Sequence, residues 1–404
     1  MNKSFQCQLI GTGTAGLSFI IALINKIKHA SLEDRPKLQT LFDSLIAIEG
    51  STEAGGVLDK YQINANTNAG EIASCLLDGT PFEALRDHYL QQPETQQPLI
   101  SLPKVGELML RPIARIITEL LGERMLCNTK VDHIKASQNG FESFDNAGQL
   151  LARSQKVVLC CGGSETLLAD LYPWRHKTIM TSTLLNQKKI EGLPERPGKV
   201  VIIGSSHSGF SSAWRLLNDP QMTAYAKGRE IIILQRNPLV KLQCTPEFAD
   251  QHQLPFDAIN DVCHVKGLVY RNAGLRKDAK ALYLKIKQGE EKRVRLEPIT
   301  ALIDASPLFN DAALIVQCAG FRANLPSVTV DGVSQTIKER SKHGELSETG
   351  SGKVIPGLFG FGLGIQIIPE GYYRGEKSFS GSSDGFLPYP NAIAPILIDQ
   401  LIQD

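Results

Sequence analysis

The 404-residue sequence contains eight cysteines but no CxxC pair, and its formal net charge is only +1. A chain of this length can bury a sizeable core without disulfide staples, so we expect reduced thiols and a cytoplasmic location. The small net charge gives no electrostatic reason to expect a nucleic acid or an acidic membrane as a partner. No cluster of His, Cys, Asp or Glu has metal-ligand spacing, so we expect no bound metal.

Long uninterrupted apolar runs are also missing. Glycines at 11–16 interrupt the apolar segment near the N-terminus, and the stretch 17–24 is too short to cross a bilayer. We therefore expect neither a signal peptide nor a membrane span. The composition, 42% hydrophobic and 21% charged, is that of an ordinary globular protein, and the length favours two domains.

One local pattern occurs twice. Apolar residues 5–10 precede GTGTAG at 11–16, and apolar residues 199–203 precede GSSHSG at 204–209; helix-like sequence follows each. Each copy predicts a strand, a glycine turn and a helix start, which together form a phosphate-binding unit. We therefore predict an α/β fold with two Rossmann-like dinucleotide-binding domains of the three-layer ββα type, the second inserted into the first.

The segments between the two copies fit this organisation. We expect an antiparallel meander at 130–151, a second hairpin formed by 281–287 and 293–296, and a closing helix at 391–402. Residues 28–42 are expected to form a loop or a helix extension. The predicted FAD-binding domain comprises 1–193 and 305–404, and the predicted nicotinamide-nucleotide domain comprises 194–304. Further buried strands are predicted at 45–49, 156–161, 229–234, 313–318 and 358–361.

The first glycine motif has the residues that a pyrophosphate requires. Gly11 makes the tight turn, Gly13 removes a side chain that would block the phosphates, and Gly16 lets the helix pack on the strand. Thr14 and Ala15 open the helix, whose N-terminus attracts an anion. The next predicted strand ends in Glu49, which can accept hydrogen bonds from the ribose hydroxyls of an adenosine. The alternative is a plain glycine turn with a surface glutamate.

The second motif differs in its middle position, where Ser206 replaces glycine. We call the phosphate-binding turn predicted at 11–16 the first cradle. Serine hydroxyls can donate hydrogen bonds to phosphate, so we expect a second cradle formed by Gly204, Ser205, Ser206, Ser208 and Gly209. Arg236 stands where a ribose-binding acid would otherwise follow, and a guanidinium suits a 2′-phosphate, which favours NADPH over NADH. Arg236 could instead be a solvated residue after a strand. His207 could contact the nucleotide or simply belong to the loop.

The order of these motifs is similar to that of the flavin-dependent monooxygenases with two dinucleotide-binding domains, namely the flavin-containing, Baeyer–Villiger and N-hydroxylating enzymes. VVLCCGGS at 157–164, DAALIVQCAGF at 311–321 and GLFGFG at 357–362 add to the resemblance. It implies FAD at the first cradle, NADPH at the second and oxygen chemistry at the flavin. It also implies that Gly362 lies near the flavin's pyrophosphate or ribityl chain, and we further expect Gly56, Val131 and Gly162 to line FAD.

The sequence departs from these families in two places. In KTIMTSTLL at 177–185, Thr181 stands where the flavin-containing and Baeyer–Villiger enzymes carry a fingerprint histidine, and Leu185 stands where they carry an aromatic residue. Thr14 replaces a proline that is usual in the N-hydroxylating enzymes. We favour a monooxygenase that acts with O₂ on N, S or a carbonyl carbon of a small molecule. A flavin dehydrogenase, oxidase or reductase, and a non-catalytic nucleotide-binding module, remain alternatives.

Substrate identity is not encoded in a recognisable motif. The segment 369–390 is rich in Gly, Ser and aromatic residues and follows the last predicted flavin strand. We expect it to be an active-site loop that presents Tyr372 and Tyr373, with Asn66 and Asn68 on the same face; a surface or partner loop is the alternative. Adjacent Cys160 and Cys161 are expected to be structural thiols. A homodimer is left open.

Overall fold

The computed structural model describes residues 4–188, 190–193, 195–338, 340–341, 344–367, 376–378 and 388–403. Its larger sheet has a parallel centre, in which Ser4–Ile10 lies between Leu45–Ile48 and Leu150–Leu159, and Met125–Leu126 follows Leu45–Ile48. On the edge opposite Ser4–Ile10, the strand Leu150–Leu159 is long enough to pair with two further strands. Its first half pairs antiparallel with Gly140–Phe144, and its second half pairs parallel with Val354–Gly360.

The predicted meander is confirmed. His133–Ser137 pairs antiparallel with Gly140–Phe144, which in turn pairs with the first half of Leu150–Leu159. Buried and exposed residues alternate along the first of these strands, as expected for a sheet with one covered face. We call the part of the chain built on this larger sheet the first unit.

Helices cover the other face of the first unit. Thr14–His29 follows the first glycine motif, and nine of its residues from Ala15 to Leu23 are buried. The predicted closing helix is observed as Ala394–Ile402, preceded by a wider π-helical turn at Tyr389–Ile393. The segment predicted as a loop or helix extension contains a separate helix, Asp34–Asp43, which buries Leu38 and Leu41 in the same core.

The second unit is a five-stranded, all-parallel sheet with its own core. The strands lie in the order Val294–Pro298, Ile231–Gln235, Lys199–Ile203, Ala312–Gln317 and Thr178–Met180. Thr178–Met180 and Ala312–Gln317 lie outside the predicted limits 194–304, so the sheet is wider than that range. The helices His207–Asn218 and Lys277–Lys287 pack on it through one apolar cluster.

The predicted hairpin of 281–287 with 293–296 is wrong. Residues 277–287 form the helix Lys277–Lys287, and Val294–Pro298 pairs parallel with Ile231–Gln235. The helix buries Ala279, Leu282 and Tyr283, whose spacing of three and four residues is that of a helix face. Short apolar runs fit both a helical and a strand pattern, and here packing against the parallel sheet decides for the helix.

The remaining elements include four strands of the larger sheet, Ser327–Val330, Val333–Gln335, Ile337–Lys338 and Glu345–Glu348. Among the described residues, no helix combines the length and the apolar character that crossing a membrane requires. Further α-helices are Ala69–Ala73, Glu83–Leu90, Leu102–Val105, Arg111–Leu121, Thr181–Asn186, Pro220–Ala226, Pro246–Gln251 and Ser306–Asp311, and Gly106–Leu110 is a π-helix. Short 3₁₀ segments are Leu58–Lys60, Pro93–Gln96, Gly122–Arg124, Ala169–Lys177 and Leu302–Ala305. Short strands are Gly163–Ser164, Val262–Cys263, Leu268–Val269, Arg322–Ala323, Ser327–Val330, Val333–Gln335, Ile337–Lys338, Arg340–Ser341, Glu345–Glu348 and Gln366–Ile367.

Candidate nucleotide-binding sites

The first glycine motif forms a backbone cradle where the strand Ser4–Ile10 ends. Gly11 has φ +90°, and a Cβ atom there would collide with the backbone of Cys160. A Cβ atom on Gly16 would collide with the carbonyl oxygen of Gly11. Both positions therefore require glycine, because the turn must fold back on itself and let the helix start directly against the strand.

The start of the helix Thr14–His29 has the properties of an anion site. Its N-cap is Gly13, which provides no side-chain cap, and its first turn contains no acidic residue. The free N–H groups and the helix dipole, equivalent to about half a positive charge, both favour an anion here. Gly56 and Gly362 approach this helix start closely. A Cβ on Gly56 would lie 2.9 Å from the Cα of Gly13, and one on Gly362 would lie 3.0 Å from the Cβ of Ala15.

Glu49 is fixed beside the same cradle. Its Oε2 atom accepts hydrogen bonds from the backbone N–H of Thr12 at 2.7 Å and from the Thr12 hydroxyl at 2.9 Å, and its Oε1 atom accepts from the N–H of Ser51 at 2.8 Å. Only 8% of the residue is exposed. Since an ionised carboxylate has about four acceptor positions, these three donors leave capacity for a ribose hydroxyl. Thr12 was not among the predicted site residues, because it occupies a variable position of the glycine motif.

Arg111 holds the loop that covers the first cradle. Its Nη1 donates to the carbonyl of Ala54 at 3.0 Å, its Nη2 donates to the carbonyl of Gly56 at 3.1 Å, and its Nε donates to Asp59 at 2.8 Å. The loop also returns a backbone hydrogen bond from Gly55 to the carbonyl of Thr12 at 2.9 Å. Arg111 thus fixes Gly56 against the glycine motif from a helix 55 residues away in sequence. No local sequence signal identified it.

Two further predicted FAD contacts lie beside this cradle rather than in it. Val131 is buried in an apolar cluster with Ile48 and Leu159, beneath the ends of the parallel strands. Gly162 follows the strand Leu150–Leu159 with φ +67°, and nothing lies within 4 Å of the position that a Cβ would take. Its carbonyl accepts from the N–H of Asn324 at 3.0 Å. A contact of either residue with a nucleotide stays a prediction.

The second glycine motif repeats the construction of the first. Gly204 has φ +112°, and a Cβ there would lie 2.5 Å from the carbonyl oxygen of Cys318; a Cβ on Gly209 would collide with the carbonyl oxygen of Gly204. The N-cap of the helix His207–Asn218 is Ser206, which makes no side-chain capping hydrogen bond, and the first turn contains no acidic residue. Ser205 and Ser208 are half-buried and Ser206 is exposed at this turn. The predicted second cradle is therefore built in the same way.

Arg236 is exposed directly after the strand Ile231–Gln235, at the carboxyl edge of the second sheet. Within the described chain it has no hydrogen bond or ion pair, so its guanidinium has no structural partner to account for it. Position and exposure are those that contact with a ribose phosphate requires, because the neighbouring strand leads directly into the second cradle.

His207 connects the second cradle to the turn before the helix Lys277–Lys287. Its Nε2 lies 3.1 Å from the carbonyl oxygen of Gly274 and must be the donor, since a carbonyl can only accept. Burial, reinforced by the positive charge of Arg276, lowers the pKa of His207 to about 4. The imidazole is therefore neutral near pH 7, and its role in the described structure is to fix the loop.

The predicted substrate residues separate in the structure. Asn66 lines a small cavity of about 20 Å³ together with His207, Arg276 and Asp278, between the two units. Asn68 instead caps the helix Ala69–Ala73, since its side-chain oxygen accepts from the N–H of Glu71 at 2.8 Å. Tyr372 and Tyr373 lie outside the described residues, as does most of the predicted loop 369–390.

The cysteines form no disulfide in the described chain. Cys160 and Cys161 are adjacent in sequence, but burial raises the pKa of Cys161 to about 12 and the pKa of Cys160 well above its ordinary value. Thiols with such values stay protonated at neutral pH and react slowly. The backbone of Cys160 instead packs closely against Gly11, and the backbone of Cys318 packs in the same way against Gly204.

Comparison with solved structures shows the same fold at low sequence identity. The ornithine hydroxylase PvdA from Pseudomonas aeruginosa has a TM-score of 0.58 at 12% identity, covering 99% of this chain and 99% of that chain. DfoA, a cadaverine monooxygenase from Erwinia amylovora solved with FAD, has a TM-score of 0.60 at 16% identity, covering 99% and 95%. The bacillithiol disulfide reductase from Staphylococcus aureus has a TM-score of 0.52 at 12% identity, covering 98% of each chain.

No protein-family model matches the sequence, and no curated protein matches it. The identities with these three solved structures lie between 12% and 16%, so this chain is divergent from each of them. The predicted α/β architecture and the predicted resemblance are both confirmed at the level of the fold. This chain has the two-domain fold, with two Rossmann-type units, that the flavin-dependent monooxygenases and the flavin disulfide reductase among these solved structures share.

Proposed function

We propose that this chain is an FAD-dependent oxidoreductase that uses NADPH, and that FAD binds the first cradle and NADPH the second. The observation that carries the proposal is the repeated cradle. In each copy a glycine with positive φ packs on the backbone of a cysteine, and a second glycine packs on the carbonyl of the first. Each copy leads into a helix whose first turn has no acid and no side-chain cap.

The residues present fit the two cofactors. At the first cradle, Gly11 and Gly16 let the strand turn directly into the helix, Gly13 leaves room for a pyrophosphate, and the carboxylate of Glu49 would accept from the adenosine ribose. At the second, Gly204 and Gly209 allow the same turn, the hydroxyls of Ser205, Ser206 and Ser208 would donate to phosphate oxygens, and Arg236 would contact a 2′-phosphate. Bound FAD would accept a hydride from NADPH and, once reduced, would react with O₂.

The acidic and basic residues at the two proposed ribose positions support this assignment of the cofactors. A carboxylate such as Glu49 repels a 2′-phosphate but accepts from a ribose hydroxyl, which suits the adenosine of FAD. The guanidinium of Arg236 has the opposite preference and supports NADPH at the second cradle.

We further propose that the reaction is a monooxygenation of a small molecule. Two of the solved structures with this fold are described as an ornithine hydroxylase and a cadaverine monooxygenase, which supports a substrate with a nitrogen centre. The protein's part would be to bind both cofactors, orient them and exclude water.

A flavin reductase or oxidase without oxygen insertion is the second candidate. It is favoured by Thr181, which replaces the fingerprint histidine of two monooxygenase groups. The hydroxyl of Thr181 is buried and donates to the carbonyl of Gln317 at 2.7 Å, so the residue serves the fold of the second sheet. A dithiol mechanism is disfavoured, because Cys160 is buried and burial raises the pKa values of both the Cys160 and the Cys161 thiol.

Product analysis distinguishes the two candidates. The purified holoenzyme is supplied with NADPH in air and with panels of primary amines, thioethers and cyclic ketones, while H₂O₂ and oxygenated products are quantified. A monooxygenase is expected to give a product heavier by one oxygen atom and less H₂O₂ per NADPH when its substrate class is present. Stoichiometric H₂O₂ with every panel and no oxygenated product would refute oxygen insertion and leave the reductase or oxidase.

A further inference from the structure

One segment of the second unit, residues 270–278, contacts a first-unit residue on one side and Glu376 on the other. From one side, the amide of Asn64 donates to the carboxylate of Asp278 at 2.8 Å. From the other, the carboxylate of Glu376 accepts from the backbone N–H of Asn272 at 2.6 Å. Asn64 precedes the first-unit core residue Ala65, and in sequence Glu376 lies between Ile367 and Tyr389, which both belong to the core of the first unit. The segment is therefore hydrogen-bonded to one residue of the first unit and to one residue from the chain that connects two first-unit segments.

The contact made by Glu376 is buried. Only 4% of Glu376 is exposed, and burial raises its pKa above the ordinary value. The described residues around it continue the contact, because the N–H of Ser378 donates to the carbonyl of Asn260 at 2.9 Å. Burying a carboxylate costs free energy unless it is hydrogen-bonded. The burial of a carboxylate at this position therefore indicates a specific role for Glu376.

The same segment also reaches the second cradle. The carbonyl of Gly274, midway between Asn272 and Asp278, accepts from the Nε2 of His207. His207 is the first residue of the helix that starts within the second glycine motif. Asn272 precedes Gly274 by two residues, and Asp278 follows it by four. Only a few residues therefore separate the contacts made by Glu376 and Asn64 from the contact with the second glycine motif.

We propose that residues 270–278 set the position of the second cradle relative to the first, and that Glu376 and Asn64 are positioning residues for hydride transfer. The inference rests on the proposed function, in which NADPH, FAD and a proton give NADP⁺ and reduced FAD. The C–H bond at the nicotinamide breaks, the hydride carries two electrons to the flavin, and the proton comes from solvent. Such a transfer is sensitive to displacements of about 1 Å, and these can cost about a hundredfold in rate.

The design separates positioning from binding. Glu376→Ala, Asn64→Ala and the double variant are compared with two controls at exposed sites, Glu290→Gln and Asn139→Ala. The hydrogen bond between His207 and Gly274 is untouched in all of them, so the second cradle keeps its support. Glu376→Gln retains an acceptor for the N–H of Asn272 and should recover much of the loss.

Anaerobic stopped-flow reduction by NADPH, followed at the flavin absorbance, supplies the readouts. We expect the limiting reduction rate of the double variant to fall at least about tenfold, with the FAD content unchanged and the dissociation constant of NADPH within about twofold. NADPH deuterated at C4 should show an isotope effect no smaller than in the parent protein. The controls should match the parent protein.

Three outcomes would overturn the inference. The limiting rate could stay unchanged, it could fall only in proportion to lost FAD, or Glu376→Gln could be as slow as Glu376→Ala with a lowered melting temperature. Failure of the parent protein to bind FAD, or to be reduced by NADPH at all, would instead refute the proposed function. The two failures are therefore distinguishable in one experiment.

Discussion

The equivalent glycines Gly16 and Gly209 allow the two cradles to be disabled one at a time. A methyl group on either would overlap the carbonyl oxygen of the first glycine of its own motif, Gly11 or Gly204. The helix start must then move away from the strand, at a cost of about 1–3 kcal/mol for such overpacking. If the bound nucleotide depends on that geometry, the cost appears as a loss of affinity of about tenfold per 1.4 kcal/mol.

We expect reciprocal effects from the two substitutions. Gly16→Ala should lower the FAD content of the desalted protein, whereas Gly209→Ala should keep FAD and weaken NADPH by about tenfold or more. The assay is the ratio of flavin to protein absorbance, followed by anaerobic titration with NADPH. Gly350→Ala is the control, because nothing lies within 4 Å of its Cβ position and its φ is not positive. Normal NADPH affinity in Gly209→Ala, or equal loss of FAD in both variants, would refute the reasoning.

Further predictions concern single residues. Arg236→Ala should raise the KM for NADPH about tenfold and leave that for NADH nearly unchanged, as steady-state kinetics with both cofactors would show. Arg111→Leu should lower FAD affinity, measured by flavin release on dilution, because Gly56 loses its support; unaltered retention would contradict this role. Burial lowers the pKa of His207 from 6.5 to about 4 in the folded chain. Between these two pH values the histidine is protonated in the unfolded chain but neutral in the folded chain, so acid favours unfolding. Urea unfolding should therefore show a loss of about 2 kcal/mol between pH 7.5 and 5 that His207→Gln lacks. Burial raises the pKa of Cys161 to about 12, so iodoacetamide at pH 7.5 should leave NADPH-driven flavin reduction intact; rapid inactivation would argue for thiol chemistry.

The parts of the site that the sequence predicted are those with a local cause. A chain that turns from a strand directly into a helix must avoid collisions over six residues, so the positions of Gly11 and Gly16 are visible in the sequence itself. The same holds for Gly204 and Gly209 in the second unit. The resemblance then ordered the units, and the meander at 130–151 followed from alternating residues and two glycine turns.

The parts that the sequence did not predict depend on contacts between distant segments. Arg111 acts on a loop 55 residues away, and Asn64 contacts Asp278 across 214 residues. Neither contact leaves a pattern in its own neighbourhood. The apolar residues of ALYLKI at 281–286 fit both a helical and a strand pattern, so the sequence predicts a strand where the helix Lys277–Lys287 lies. Only packing against the parallel sheet decides between the two.

The visible spectrum of the purified protein tests the central claim most directly. The account predicts a yellow protein with stoichiometric FAD, which NADPH bleaches anaerobically and which air restores to the oxidised spectrum. A folded protein that is colourless after reconstitution with FAD, or a flavin that NADPH leaves oxidised, would contradict the assignment of the two cradles.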